Sequence, residues 1–133
     1  MSKYFAGPYD PTAHTFSGDI DKLFAKREVE VVFGGPQNGM FFTEGPTWIP
    51  KENALLFSEL PSDRTYKWTK EEGVKLFIER AGGYDGTNSP RYEERQVPGT
   101  NGMALHGDTL YMCQHSTGRL SKINLKDVPK EVT

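Results

Sequence analysis

The sequence lacks several features that would point to common classes of protein. It contains one cysteine, Cys113, among 133 residues, so no disulfide can form within the chain. A reducing compartment is therefore favoured. No apolar run approaches the roughly 20 residues that span a bilayer, and residues 1–30 contain no basic segment followed by an apolar one, as a secretory signal would. These absences predict a cytoplasmic protein with no membrane partner.

A strong charge of either sign is also missing. Sixteen basic and 18 acidic side chains give a formal net charge of -2, and the lysines and arginines are scattered along the chain. Such a chain has no field that would attract a nucleic acid or an anionic membrane surface. We therefore predict no nucleic-acid partner, and no pattern in the sequence indicates a protein partner.

Turn-forming and aromatic residues are abundant instead. The chain has 14 Gly and nine Pro, aromatic residues make up 12% of it, and hydrophobic residues make up only 35%. This combination favours β-structure over a helical bundle. Short apolar or alternating segments bounded by turn residues predict eight strands, at 28–33, 42–49, 54–60, 64–69, 74–79, 100–105, 109–115 and 119–125.

Two further regions carry no strand pattern. Residues 1–27 are predicted to form an irregular N-terminal arm, with a short helix over 19–27 that Asp19 would cap. Residues 81–98 have no sustained period and are predicted to form a long surface loop. Loops of this length are usually functional or are insertions.

The strand pattern repeats along the chain. Residues 45–48 match residues 102–105, and residues 55–60 match residues 110–115, at offsets of 57 and 55 residues. Four strands and a loop make one blade of a β-propeller. The repeat therefore predicts an all-β fold in which residues 28–133 supply a closing strand, a first blade and most of a second. A chance pair of meanders is the alternative.

Since propellers usually close with four to eight blades, the chain is expected to be the N-terminal part of a longer protein.

Three kinds of polar side chain are expected at one end of these blades. In the alignment, Glu44 and Asn101 each precede the first strand of a blade, and the second strand returns so that Gln114 and His115 reach the same end. A carboxylate, an amide and an imidazole would then converge on the channel mouth. Oxygen ligands suit a hard divalent cation such as calcium or magnesium. A solvated acid, a turn asparagine and a surface histidine are the alternatives for these residues.

The order of the motifs resembles a known family. The motif Glu44-Gly45-Pro46, followed by the segments 54–58 and 64–68, resembles the start of the gluconolactonase family, which includes the senescence marker protein regucalcin and the luciferin-regenerating enzyme. Residues 100–105 and 110–115 look like the second blade of that family. The resemblance covers about residues 28–125 and does not extend to residues 1–27.

The resemblance implies a six-bladed β-propeller that hydrolyses a sugar lactone with one divalent metal ion in its channel. It implies that Glu44 is a metal ligand and that Asn101 and His115 contact the substrate. Calcium is the expected metal, with zinc, magnesium and manganese as alternatives. The other ligands and the carboxylate that acts as general base would lie in later blades, so the chain by itself is expected to be inactive. The loop 81–98 is expected to contribute to a lid over the channel.

Two other functions fit the same residues. Propellers also serve as non-catalytic scaffolds for protein partners, and other propeller hydrolases act on aryl esters or organophosphates. An acid at the channel mouth favours an enzyme over a scaffold. Asn and Asp residues at the mouths of later blades would favour the lactonase.

Overall fold

The computed structural model describes residues 31–84 and 97–128. The chain divides into two units, Met1–Val32 and Phe33–Thr133, and both β-sheets belong to the second unit. The predicted N-terminal arm, and all but the two ends of the predicted loop 81–98, lie outside the described residues.

The predicted closing strand over 28–33 is only partly described. Residues 31–33 are not in a strand, so that part of the prediction is wrong. The Phe33 side chain is 42% exposed. Alternating apolar residues form a strand only where a neighbouring strand pairs with their backbone groups, and no strand of the described residues pairs with this segment.

Seven strands form two antiparallel sheets. The first contains β1 (Thr43–Ile49), β2 (Ala54–Glu59), β3 (Arg64–Thr69) and β4 (Gly73–Glu79), and the second contains β5 (Thr100–His106), β6 (Thr109–Gln114) and β7 (Arg119–Asn124). Each end lies within one residue of its predicted position. In both sheets, chain neighbours are also sheet neighbours, as in a propeller blade. The predicted all-β fold, with one blade of four strands and three strands of a second, is confirmed.

Short turns end the strands. The 3-10 helices in the described residues are three residues long, at Pro36–Asn38, Pro50–Glu52 and Leu125–Asp127. After the second of these, Asn53 adopts a left-handed φ of 49° and its N–H bonds back to the carbonyl oxygen of Pro50; asparagine tolerates this conformation better than most residues. Among the described residues, no helix is long and apolar enough to cross a membrane.

The first strand of each sheet carries a β-bulge at an equivalent place. In the first sheet the pairing passes from Glu44–Ser58 to Thr47–Leu56, so β1 contributes one residue more than β2. In the second sheet it passes in the same way from Thr100–Gln114 to Met103–Met112. Equivalent residues of the two hairpins are therefore 56 residues apart.

This register corrects the predicted alignment of the repeat by one residue. The structural counterpart of Glu44 is Thr100, and that of Asn101 is Gly45. The alignment matched Gly45 to Gly102 because both are glycines. However, Gly45 has a φ of 59°, whereas Gly102 does not adopt the left-handed region. Both first strands carry the bulge at the same place, so the bulge does not shift one blade against the other. The error therefore lies in matching these two glycines.

An apolar core lies between the two sheets. Its buried members are Ile49, Ala54 and Leu56 of the first sheet and Leu110 and Met112 of the second. Burying a large aliphatic side chain contributes about 1.5–3 kcal/mol relative to leaving it exposed. This contact therefore outweighs any single hydrogen bond between the sheets, which contributes about 1 kcal/mol.

Candidate functional site

Glu44 lies near the start of β1, immediately before the bulge. Its side chain is half-buried, and its carboxylate makes no hydrogen bond or ion pair with another described residue. Bulges are frequent next to active sites, where they change the direction of a side chain. The Glu44 carboxylate is thus available to a ligand or to a group outside the described residues.

Asn101 lies in the bulge of β5, close to Gly45. A methyl group added at Gly45 would overlap the carbonyl oxygen of Asn101 and would lie 3.2 Å from the backbone nitrogen of Met103. The first strands of the two sheets therefore touch at the residue that follows Glu44. The Asn101 side chain is exposed. The structure places Glu44 and Asn101 at neighbouring positions of two adjacent strands, even though they are not equivalent in the repeat.

Ser58 of β2 connects the first sheet to β5. Its side chain is fully buried, and its hydroxyl oxygen lies 2.6 Å from the carbonyl oxygen of Thr100 and 3.1 Å from that of Glu44. A hydroxyl has one hydrogen to donate, and the shorter distance favours Thr100 as the acceptor. Ser58 also pairs with Glu44 across the first sheet, so its bond to Thr100 keeps Glu44 close to the residue that precedes Asn101.

Glu59 is a second acid near the start of β1. It pairs across the sheet with Thr43 and is 0% exposed. One carboxylate oxygen accepts hydrogen bonds from the backbone N–H groups of Phe41 (3.1 Å) and Phe42 (3.2 Å), and the other accepts one from Ser62 (2.8 Å). A carboxylate without a proton only accepts hydrogen bonds, so three donors suit it. These bonds compensate for the cost of burying the group.

Sequence analysis did not single out Glu59. It ends an apolar strand and precedes Leu60 and Pro61, where an acid usually faces solvent. The alternation of buried and less buried residues along β2 gives no signal for Glu59 either. Ala54, Leu56 and Ser58 share a buried face, but Glu59 is buried as well and breaks the pattern. A buried residue at the next position therefore cannot be deduced from the period.

His115 is placed just beyond the end of β6. Its ring Nδ1 lies 2.8 Å from the carbonyl oxygen of Val97, and its backbone N–H bonds to the carbonyl oxygen of Gly99. Since a carbonyl oxygen only accepts, Nδ1 carries the hydrogen. In the neutral ring, Nε2 then remains as an acceptor. The structure gives no contact between His115 and Glu44; instead, it ties His115 to the segment that leads into β5.

The ends of the loop 81–98 are held by polar side chains. Gln114 Nε2 donates to the carbonyl oxygen of Ala81 (3.2 Å), so Gln114 contacts the loop. The buried carboxylate of Asp63 accepts a short hydrogen bond from the N–H of Gly82. Burial raises the pKa of the Asp63 carboxyl above its ordinary value, although hydrogen bonds from the backbone of Gly82 and Tyr84 act in the opposite direction.

A cleft of about 700 Å³ lies at the other end of the two hairpins. Its lining includes Trp48, Leu105 and the exposed ion pairs that Asp108 makes with Lys51 (2.6 Å) and Lys126 (3.0 Å). Hydrogen bonds from the two lysines lower the pKa of Asp108. None of the predicted site residues lines this cleft.

The described residues do not form a complete metal site. Among them, no group of three or more His, Cys, Asp or Glu side chains is arranged to hold a metal ion. Glu44 suits such an ion as a single oxygen ligand, because its carboxylate is half-buried and has no other partner in the described part of the chain. A site with three such side chains would need residues from outside that part.

Comparison with known proteins finds similarity to gluconolactonases. No family model matches the chain. The gluconolactonase of Zymomonas mobilis is 31% identical to it over 111 residues, which are 82% of this chain and 29% of that protein. The chain thus spans less than a third of this relative. The solved structure of a gluconolactonase from Xanthomonas campestris overlaps 70% of this chain and 26% of its own, with a TM-score of 0.49 and 19% identity.

Proposed function

Because the chain belongs to the gluconolactonase-like family over the 111 residues that align, we propose that it is part of an enzyme that hydrolyses a sugar lactone. The observation that carries the proposal is the 31% identity to a gluconolactonase along 82% of the chain. The half-buried Glu44 carboxylate has no partner among the described residues, so it is the group we propose to take part in the reaction.

We propose that Glu44 is one ligand of a divalent metal ion. Calcium is the first candidate, because hard cations take carboxylate oxygens, and zinc, magnesium and manganese are the alternatives. A partly buried carboxylate is costly without a partner, which supports the assignment. When bound, the ion would supply Lewis-acid polarisation of the lactone carbonyl group.

Asn101 and His115 are proposed to contact the substrate. The exposed amide of Asn101, next to Gly45, can donate and accept hydrogen bonds with the hydroxyl groups of a sugar lactone. The hydrogen bond from Nδ1 of His115 to Val97 fixes the ring and leaves Nε2 to accept a hydrogen bond from a sugar hydroxyl. Asn101 lies nearer to Glu44 by strand position, so its role is the better supported of the two.

The remaining machinery is proposed to lie outside this chain. The chain spans 29% of the Zymomonas mobilis relative, so a six-bladed propeller, the other metal ligands and the general base would need residues beyond it. We therefore propose that the 133 residues alone hydrolyse little lactone. The cytoplasm stays the predicted location, on the basis of the single cysteine.

A chimera provides the test. Residues 31–128 would replace the aligned segment of the Zymomonas mobilis gluconolactonase, and hydrolysis of gluconolactone would be measured with calcium and after chelation. We expect a chelator-sensitive activity that Glu44→Gln abolishes and that Asp108→Asn, at the far cleft, retains. A folded chimera without activity, or activity unaffected by Glu44→Gln, would contradict the proposal. Calcium-dependent hydrolysis by the 133-residue chain alone would contradict its proposed incompleteness.

A further inference from the structure

We propose that Glu59 is a positioning residue, which fixes the backbone on which Glu44 is presented to its metal ion. This inference rests on the proposed function, since it gives Glu59 a role in the Glu44 site. Glu59 does not contact the ion in this proposal. It acts through the N–H groups of Phe41 and Phe42, which lie three and two positions before Glu44.

The regular sheet provides little support at this point of the chain. β1 begins at Thr43, and the bulge between Glu44 and Thr47 interrupts its pairing with β2 directly after Glu44. Only the pairs Thr43–Glu59 and Glu44–Ser58 precede the bulge. The orientation of Glu44 therefore depends on how the segment before β1 is held.

Met40 is buried, but apolar packing does not firmly hold the two residues that follow it. The side chains of Phe41 and Phe42 are 70% and 45% exposed. The contacts that remain are polar: the N–H of Leu60 bonds to the carbonyl oxygen of Phe42 (3.1 Å), and the carboxylate of Glu59 accepts from both phenylalanine N–H groups. Glu59 is the charged member of these contacts, and hydrogen bonds to a charged group are roughly twice as strong as neutral ones.

Both oxygens of the carboxylate are required. Oε1 accepts from Phe41 and Phe42, while Oε2 accepts from Ser62 in the turn after β2. Glutamine has the same length but only one acceptor oxygen, so its amide NH₂ would face an N–H donor on one of the two sides. Glu59→Gln therefore removes the link between the turn and the start of β1 while it preserves side-chain volume.

Asp63 offers a matched control. It is also a buried acid, 7% exposed, in the same turn, and it accepts a hydrogen bond from the backbone of Gly82 rather than from residues 41 and 42. Asp63→Asn thus perturbs a buried carboxylate nearby without altering the segment before β1.

The test uses the chimera described under Proposed function, in which the later blades would supply the other ligands. It compares the unsubstituted chimera, called the wild type in this test, with its Glu59→Gln, Asp63→Asn and Glu44→Gln variants. Calcium alone is titrated into each protein, the dissociation constant is taken from the amide NMR signals of residues 43–45, and thermal unfolding is recorded separately. We expect Glu59→Gln to weaken calcium binding by about 10-fold to 100-fold, as for loss of a group that orients a ligand. Amide hydrogen exchange of residues 41–45 should also become faster. Asp63→Asn should retain the calcium affinity of the wild type, whatever its effect on the melting temperature.

Each other outcome overturns a defined claim. If Asp63→Asn weakens calcium binding as much as Glu59→Gln does, the effect is general destabilisation and the positioning role is refuted. If Glu44→Gln abolishes binding while Glu59→Gln leaves it unchanged, the inference fails and the proposed function stands. If Glu44→Gln binds calcium like the wild type, or if the wild type binds none at millimolar concentration, the metal role of Glu44 fails together with this inference.

Discussion

Replacing Gly45 with alanine tests the close approach of β1 and β5, which places Glu44 beside Asn101. Gly45 has a φ of 59°, and a methyl group there would overlap the carbonyl oxygen of Asn101. Gly73, the first residue of β4, has a similar φ of 69°, but a methyl group there would meet no atom within 4 Å. Both replacements strain the backbone, and only the one at Gly45 pushes the two sheets apart.

The two costs can be estimated separately. An L-residue in the left-handed region costs about 1–2 kcal/mol, and this applies to Gly45→Ala and Gly73→Ala alike. The overlap with Asn101 involves backbone atoms that cannot rotate away, and overpacking of this kind costs about 1–3 kcal/mol more. We therefore expect Gly45→Ala to lower the free energy of unfolding by about 2–5 kcal/mol. That is a large share of the roughly 5–15 kcal/mol that stabilises a typical domain.

Urea unfolding, followed by the fluorescence of Trp48 and Trp68, measures the difference. The two tryptophans lie on β1 and β3, so both report on the first sheet. The unfolding midpoint should fall for both alanine variants and should fall further for Gly45→Ala, by at least about 1 kcal/mol in free energy. Equal losses would mean that β1 and β5 are not in contact at Gly45. The placement of Glu44 next to Asn101 would then be refuted.

Three further expectations concern buried polar groups. Ser58→Ala removes the buried hydrogen bond to Thr100 and should lower the free energy of unfolding by about 1–3 kcal/mol. Ser121→Ala, whose hydroxyl lies 3.4 Å from the Met112 carbonyl oxygen, should change it by no more than about 0.5 kcal/mol; equal effects in a urea titration would contradict this. Thr65→Val removes a fully buried hydroxyl that has no partner among the described residues, so the thermal midpoint should rise, and a fall would show that the hydroxyl is satisfied. Because burial raises the folded-state pKa of Asp63 above its ordinary value, the folded protein binds that proton more tightly than the unfolded chain does. Its contribution to stability therefore decreases as pH rises from the unfolded pKa through the folded one. Asp63→Asn should remove this decrease from a series of unfolding measurements across acidic pH, and an unchanged slope would be inconsistent with the assignment.

The strands between residues 42 and 125 could be predicted from the sequence because their determinants are local. The strand Arg64–Thr69, for example, alternates polar and aromatic residues between two turns, and its ends agree with the prediction. The bulges could not be predicted, because an extra residue in β1 is defined by the pairing with β2 rather than by β1 itself. The one-residue error in the repeat alignment has another source, the match of Gly45 to Gly102, because equivalent bulges leave the offset between the two blades unchanged.

Part of the candidate site could also be predicted from the sequence. Glu44 and Asn101 could be placed near each other because both lie at the start of a first strand, and strand order depends on turns that the sequence displays. The partner of His115 could not be deduced, since its ring bonds to the backbone of Val97, eighteen positions away. Glu59 was missed for the same reason: its donors are backbone groups, which leave no trace in the amino-acid types.

The paired bulges have a consequence for recognising related chains. In each sheet the first strand contains one residue more than its partner strand at the bulge, between Glu44 and Thr47 in β1 and between Thr100 and Met103 in β5. The alternation of its side chains therefore shifts by one residue there. A side chain that faces the neighbouring sheet before this step is out of step with those that face it afterwards. Sequence comparison that rewards strict alternation therefore penalises every genuine blade of this type at its first strand. A comparison that allows one phase change at a fixed distance from the strand start would match the two first strands of this chain, and it would do so without relying on the glycine beside the step.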